Sequence, residues 1–182
     1  AAAFGSASAQ TQAPASVKPL IGFGMTFGGD TLVSGNYSNG DSWKISSGGL
    51  FVFYAGAEFA VSNEFAVQAT LGYHTDRVSG DNGSVRFSRV PLDLVGLYKV
   101  NPQVRLGGGL QHASSPKVSG SGILGGINGE FKASTALVLE GEYLFSDKLG
   151  VKGRYVGHKF KAANGSASVN GDHIGVLMNY YF

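Results

Sequence analysis

Between Leu20 and Phe182 the chain alternates apolar with small or polar residues at a period of two, in eight separate segments, and nowhere with the 3.6-residue period of a helix. The first segment sets Ile21, Phe23, Met25 and Phe27 against Leu20, Gly22, Gly24 and Thr26. The second sets Phe51, Phe53, Ala55, Ala57 and Phe59 against Val52, Tyr54, Gly56 and Glu58, and the third sets Phe65, Val67, Ala69, Leu71 and Tyr73 against Ala66, Gln68, Thr70, Gly72 and His74. Later segments run from Val90 to Tyr98, Val104 to Leu110, Thr135 to Phe145, Val151 to Val156 and Ile174 to Phe182. Each predicts a strand with one greasy face. Phe87 reads out of phase with the fourth segment, which predicts a β-bulge near Arg89 with Pro91 beside it.

Charge separates two kinds of barrel that such strands can build. Glu58, Arg89, Asp93, Arg105, Glu140, Glu142, Lys152 and Arg154 all fall on the face opposite the continuous apolar one. A soluble barrel would place its apolar face inward and its charges in water. Four acids and four bases on the opposite face instead predict a polar interior and a hydrocarbon-facing exterior. No stretch is long and apolar enough for a membrane-spanning helix, yet strands of about 9–11 residues suffice to cross. An open sheet edge in hydrocarbon would leave backbone groups unpaired, so the strands must close into a ring.

Composition agrees. The chain holds 29 Gly, and only 14% of its residues are charged. Glycine in a helix interior costs roughly 1 kcal/mol relative to alanine, so helices are excluded as the main element. A net charge of +2, without a basic stripe, excludes a nucleic-acid reading, and the absence of Cys excludes thiolate and disulfide chemistry.

The connections alternate in length. Ser62-Asn63, Asn101-Pro102 and Ser146-Asp147-Lys148 mark tight turns, whereas residues 28–42, 76–84, 114–130 and 161–172 read as long loops rich in Gly, Ser and Asn. This asymmetry predicts an all-β, eight-stranded antiparallel transmembrane barrel, an up-and-down meander with both termini periplasmic, over residues 17–182. Residues 1–16 read as a flexible tail or signal-peptide remnant, with Ala7-x-Ala9 at the cleavage position. Phe59, Phe65, Tyr98, Phe145, Tyr180 and Phe182 are candidates for an aromatic girdle at the short-turn side. Phe27, Phe51, Tyr73 and Phe87 are candidates for one at the long-loop side, with Trp43 a further member.

In these features the chain resembles the small outer-membrane barrels of Gram-negative bacteria, the class of the OmpA transmembrane domain, OmpX and OmpW. The terminal Tyr180-Tyr181-Phe182, after Ile174, Val176 and Met178, is similar to the C-terminal signal by which such proteins are recognised for insertion. The resemblance implies a bacterial outer-membrane location and contact with outer-membrane lipid and lipopolysaccharide. It also implies engagement of the barrel-insertion machinery, a monomer, and a possible loop ligand or envelope-complex partner.

Three functions remain open. The charged face of an eight-stranded bore predicts a plugged scaffold, in which acids and bases neutralise one another and the loops carry surface binding or envelope integrity. Inward glycines such as Gly22, Gly24, Gly56, Gly72, Gly107 and Gly109 leave room for a narrow channel, and Pro91 with Phe87–Arg89 marks where an OmpW-like lateral gap for hydrophobic solutes would lie. His112 and Ser114 form His-x-Ser in the lipid-facing phase, similar to the base and nucleophile of the outer-membrane lipid A deacylases. Ser115 stands where that family has Asn, and Glu130, the nearest acid, falls in the inward phase. The reading is therefore no catalysis, no cofactor and no metal; His74, His158 and His173 near the rim match no metal spacing.

Overall fold

The computed structural model describes residues 16–36, 40–80, 82–165 and 168–182, with only the backbone at Ser115. The expected N-terminal tail falls outside the described residues except for Ser16. In chain order the strands are β1 (Val17–Gly28), β2 (Thr31–Asn36), β3 (Ser42–Ser46), β4 (Phe51–Ala60), β5 (Phe65–Gly80), β6 (Gly83–Lys99) and β7 (Val104–Gly122). They continue with β8 (Asn128–Glu130), β9 (Ser134–Ser146), β10 (Leu149–Gly157), β11 (Lys159–Lys161), β12 (Ser168–Asn170) and β13 (His173–Tyr181).

Eight of them close a ring of antiparallel pairs in the order β1, β4, β5, β6, β7, β9, β10, β13 and back to β1. Closure leaves no open edge among these strands, which is what hydrocarbon demands. Each barrel strand pairs with the barrel strands that precede and follow it in the chain. The hairpins β2–β3 and β11–β12, and β8 paired to β7, are inserted between barrel strands.

The tight turns form where the sequence places them, and their polar residues supply the reason. The Ser62 hydroxyl accepts the Glu64 and Phe65 amides at 3.2 and 3.0 Å. Asn101 Oδ1 accepts those of Gln103 and Val104 at 2.9 and 2.8 Å. Each side chain thus stands in for the ladder bonds that the turn cannot make.

The long-loop end differs more. The described residues of 76–84 and 114–130 are largely strand: β5 and β6 stay paired out to Gly80 and Gly83, and β6 and β7 out to Gly83 and Gly122. Beyond the membrane an outward face of Ser, Gly, Arg and Lys is as acceptable as an apolar one, so a polar sequence need not be a loop.

Phe87 is in phase with Arg89 and Asp93 and points inward, fully buried, so it belongs to no girdle. The irregularity lies in the partner strand. Ser88 and Val90 face Lys117 and Ser114, so the extra residue sits in β7, not in β6. Trp43 is likewise no girdle residue; it packs against a cluster of Ile45, Val85, Phe87, Ala113, Val118 and Phe160 at the long-loop end.

The two faces are sorted as their charge requires. Phe53, Leu71, Leu92 and Leu139 are exposed at 55, 58, 53 and 60%, whereas Glu58, Asp93, Arg105 and Glu140 are 3–6% exposed in the bore. At the short-turn end Phe65 meets Tyr98 at a tilt, and Tyr143 meets Phe145 and Tyr180 meets Phe182 edge to face, each at 5.1 Å between centroids. Placing a cation on this belt tests its environment: Leu139→Arg should cost about 2–4 kcal/mol of folding stability in bilayers. Urea unfolding in vesicles would measure it, and a near-neutral effect would contradict a hydrocarbon contact at Leu139.

Candidate functional site: the charged bore and its cap

Seven of the eight predicted charges form one connected system. At the short-turn end Arg105 donates through Nη1 to both Glu58 oxygens at 2.9 and 2.8 Å, and through Nη2 to Glu142 at 2.7 Å and the Tyr181 hydroxyl at 2.6 Å. Its guanidinium lies 5.1 Å from the Tyr181 ring centre. Gln68 bridges to the next layer, donating to Glu58 at 2.9 Å and accepting from Lys152 Nζ at 3.0 Å. Lys152 also donates to Glu140 at 2.5 Å. Arg154 joins Glu140 to Asp93, with contacts of 2.9 and 2.6 Å, and Gln111 donates to the other Asp93 oxygen at 2.8 Å.

Cross-strand register creates much of this ladder. Arg105 faces Glu142, Lys152 faces Glu142, and Arg154 faces Glu140 on adjacent strands. Such buried pairs stabilise only when the charges are also hydrogen-bonded, and here Gln68, Gln111, Asn179 and Tyr181 add further partners to Glu58, Asp93, Arg105, Glu142 and Lys152. Side chains occupy the space beside two of the inward glycines. The space beside Gly22 is filled by the Tyr54 ring, which would stand 2.2 Å from an added Cβ, and that beside Gly107 by Glu140. Towards the short turns the bore ends in a cavity of about 210 Å³, lined by Lys18, Lys99 and Asp147 as well as Glu58 and Arg105.

Arg89 departs from the expectation. It is fully buried, and among the described residues it forms no ion pair with a carboxylate. Its Nη1 donates to the Ser47 carbonyl and its Nη2 to His74 Nδ1 at 2.7 Å, while its guanidinium lies 5.7 and 5.3 Å from the centres of Phe87 and Phe160. Arginine only donates, so His74 Nδ1 is an acceptor and its Nε2 carries the proton to Thr26 Oγ1 at 2.7 Å. The Thr26 hydroxyl in turn donates to the Gly48 carbonyl at 2.7 Å. Arg89 therefore latches the turn after β3 into the mouth of the cylinder.

Other bonds fix the same turn. Asp76 accepts the Ser46 amide at 2.9 Å, and the Ser47 hydroxyl donates to the Asn170 carbonyl at 2.6 Å. Above it the apolar cluster of β3, β6, β7 and β11 forms a lid, with Leu32, Val33, Val78, Leu124, Ile127, Phe131 and Val169 packed against it. His158, just beyond β10, stacks on Phe160 at 4.2 Å and meets Ser134 Oγ at 2.6 Å. Burial and the Arg89 charge push its imidazole down to about 4, so it sits in the lid as a neutral ring.

The remaining candidates are not brought together. His112 Nδ1 meets Thr135 Oγ1 at 3.0 Å, whereas Ser114 donates to the Val90 carbonyl at 3.1 Å. Glu130 is exposed, opposite Lys117, not inward. Among the described residues no three His, Asp or Glu side chains converge on a possible metal position.

A closed cylinder with a salt-bridged bore and an apolar exterior matches the family model for the outer membrane protein beta-barrel domain over residues 1–182. The chain belongs to that family. It is thus a multi-pass barrel of the bacterial outer membrane. Similar structures include Ail, the attachment invasion locus protein of Yersinia pestis, solved with the heparin analogue sucrose octasulfate. That match has 13% identity and a TM-score of 0.61, and covers 92% of this chain and 99% of Ail. Neisserial surface protein A matches at 12% identity and a TM-score of 0.53, over 93% of this chain and 100% of that one. At such identities the likeness speaks for the fold alone. No curated protein matches the chain.

Sequence reasoning overlooked Gln68, Gln111, Asn179 and Tyr181, although all lie in the inward phase. Tyr181 reads first as part of a terminal aromatic run, yet its hydroxyl meets Arg105, Gln68, Asn179 and Glu142. Glu140 carries the most connected pair of cations, so Glu140→Gln should destabilise the barrel by about 3–5 kcal/mol. The reference is urea unfolding in detergent micelles. A change no larger than that of a surface Glu64→Gln would contradict the network.

Proposed function

We propose that the protein is a closed, non-catalytic scaffold of the outer membrane, a monomer whose long-loop end faces outward and whose short turns and both termini face the periplasm. The observation that carries this reading is the double closure of the bore. A side-chain ladder fills the shaft from Glu58 to Asp93, and the Arg89-latched turn with its apolar lid fills the mouth. Envelope integrity and surface recognition by the outer hairpins are the roles left to a cylinder that passes nothing. The outward Tyr180 and Phe182 leave the end of β13 readable by the barrel-insertion machinery.

Three further observations weigh against the alternatives. The β5–β6 ladder is interrupted only at Gly72–Tyr73 opposite Val90–Pro91, where a lateral opening would lie. There the Pro91 ring comes within 3.3 Å of a Cβ placed on Gly72, and pairing resumes at His74 with Arg89. His112 and Ser114, bonded elsewhere, leave no base on the hydroxyl.

In planar bilayers the protein should give no solute-dependent conductance, and it should release no fatty acid from lipopolysaccharide. Reproducible conductance that changes on Glu58→Gln, Arg105→Gln or Glu140→Gln would replace the scaffold with a channel. Acyl release abolished by Ser114→Ala would replace it with an esterase.

A further inference from the structure

Under the lid, three imidazoles gather around one fixed cation. Arg89 donates to His74 Nδ1 at 2.7 Å, and His173 meets the His74 ring edge-on at 5.3 Å between centroids. His158 stacks on Phe160, which the Arg89 guanidinium also approaches, at 5.3 Å from the ring centre. All three rings are buried, at 1–4% exposure. Two of them also hold the turn that Arg89 latches. His74 reaches it through Thr26 and the Gly48 carbonyl, and the His173 Cβ stands 2.8 Å from where a Cβ on Gly48 would lie.

The bonds at these rings belong to the neutral imidazole. His74 Nδ1 accepts, so a proton there removes the Arg89 bond and sets a second cation against the guanidinium. His173 donates through Nδ1 to the Gly171 carbonyl at 2.7 Å, which leaves Nε2 as the atom that takes a second proton. His158 Nε2 meets Ser134 Oγ, and its Nδ1 is buried without a partner. The cations facing the cluster are Arg89 from β6 and Arg154 from β10, and His112 of β7 acts on His158. The acids around it are engaged elsewhere: Asp76 accepts the Ser46 amide, Asp172 the His158 amide, Asp30 the Asn170 amide, and Asp93 the Arg154 and Gln111 side chains. Among the described residues no carboxylate forms an ion pair with any of the three imidazoles.

We propose that the mouth carries an acid-operated latch: protonation of His74, His158 and His173 releases the turn at Ser47 and Gly48 and lifts the β2–β3 hairpin from the bore. The closed cap admits no second proton on these rings, whereas an imidazole released into water takes one up near pH 6.5. Closure is therefore complete above that pH and weakens as the pH falls below it. At pH 5 each ring multiplies the ratio of open to closed caps roughly thirtyfold over its value at neutral pH. The ladder from Glu58 to Asp93 contains no imidazole, the side chain that titrates in this range, so the shaft stays filled while the cap moves. The latch thus goes beyond the scaffold reading, and conductance would sink the scaffold without touching the latch.

Trp43 is the chain's single tryptophan and packs against the lid from β3, so its fluorescence reads the cap directly. The full chain, folded in detergent micelles, is titrated from about pH 7.5 to about pH 4.5, the range in which histidine changes charge. Below pH 6.5 the Trp43 emission should shift reversibly to the red and become more open to acrylamide quenching, while the unheated barrel keeps its folded mobility on gels. Each of His74→Gln, His158→Gln and His173→Gln should reduce the acid-driven change in the open-to-closed ratio at pH 5 by roughly thirtyfold. His112→Gln, on the outer wall, should leave it unchanged. Nitrogen NMR of the unaltered chain tests the same point without any variant: the imidazoles should gain their second protons over the pH range in which Trp43 moves. Flat Trp43 emission down to the lowest pH would overturn the latch. So would a transition during which the three imidazoles stay neutral, or one that persists in full in a folded barrel carrying all three substitutions.

Discussion

Hydrocarbon on the outside leaves this chain a single place for its intramembrane charge. Every other feature follows from confining four acids and three bases to a shaft one side chain wide. A charge there without a partner would cost several kcal/mol, so position along the shaft is set by who can reach whom. Arg105 ties Glu58 to Glu142, Lys152 and Arg154 share Glu140, and Arg154 reaches on to Asp93. Neutral amides and phenols between them take up several of the lone pairs and protons that the ions leave. Register between strands is thereby fixed from within, because a slip of one residue would turn every one of these groups into lipid.

Above the membrane the same cylinder changes its chemistry. The inward phase becomes apolar at Phe87, Val85 and Val118, while the outward phase becomes polar, so the barrel there is built the way a soluble one is. Arg89 marks the boundary. It is the fourth base of the interior, yet its bonds go to the Ser47 carbonyl and a neutral His74, and its faces lie against two phenylalanine rings. A cation at that level closes the mouth by holding backbone, where the cations below it hold carboxylates.

Much of this was legible from the residues. Period-two alternation up to Phe182 and the common phase of the charges define the closed barrel and its inverted polarity, and Ser62, Asn101 and Ser146 mark the short turns. The partner of each charge was not legible, since the stagger between strands decides it and no single strand records that stagger. Phe87 was misread for a related reason. Within the membrane an aromatic in a strand belongs outside, and nothing local announces that β6 has not yet entered the membrane at Phe87. The polar stretches 76–84 and 114–130 resemble loops by composition, yet their backbones remain paired because a ladder in water tolerates polar residues on both faces.

The inverted polarity is the claim on which the ladder and the latch both rest, and lipid contact measures it directly. The chain contains no cysteine, so single cysteines can be placed at Phe53, Leu71, Leu92 and Leu139, and at inward Gln68 and Gln111, each carrying a small fluorophore in vesicles with brominated acyl chains. Strong quenching at the first four positions and little at the last two is the predicted pattern. Quenching at Gln68 and Gln111 with protection at Leu92 and Leu139 would mean that the cylinder is turned the other way, with its oily side within.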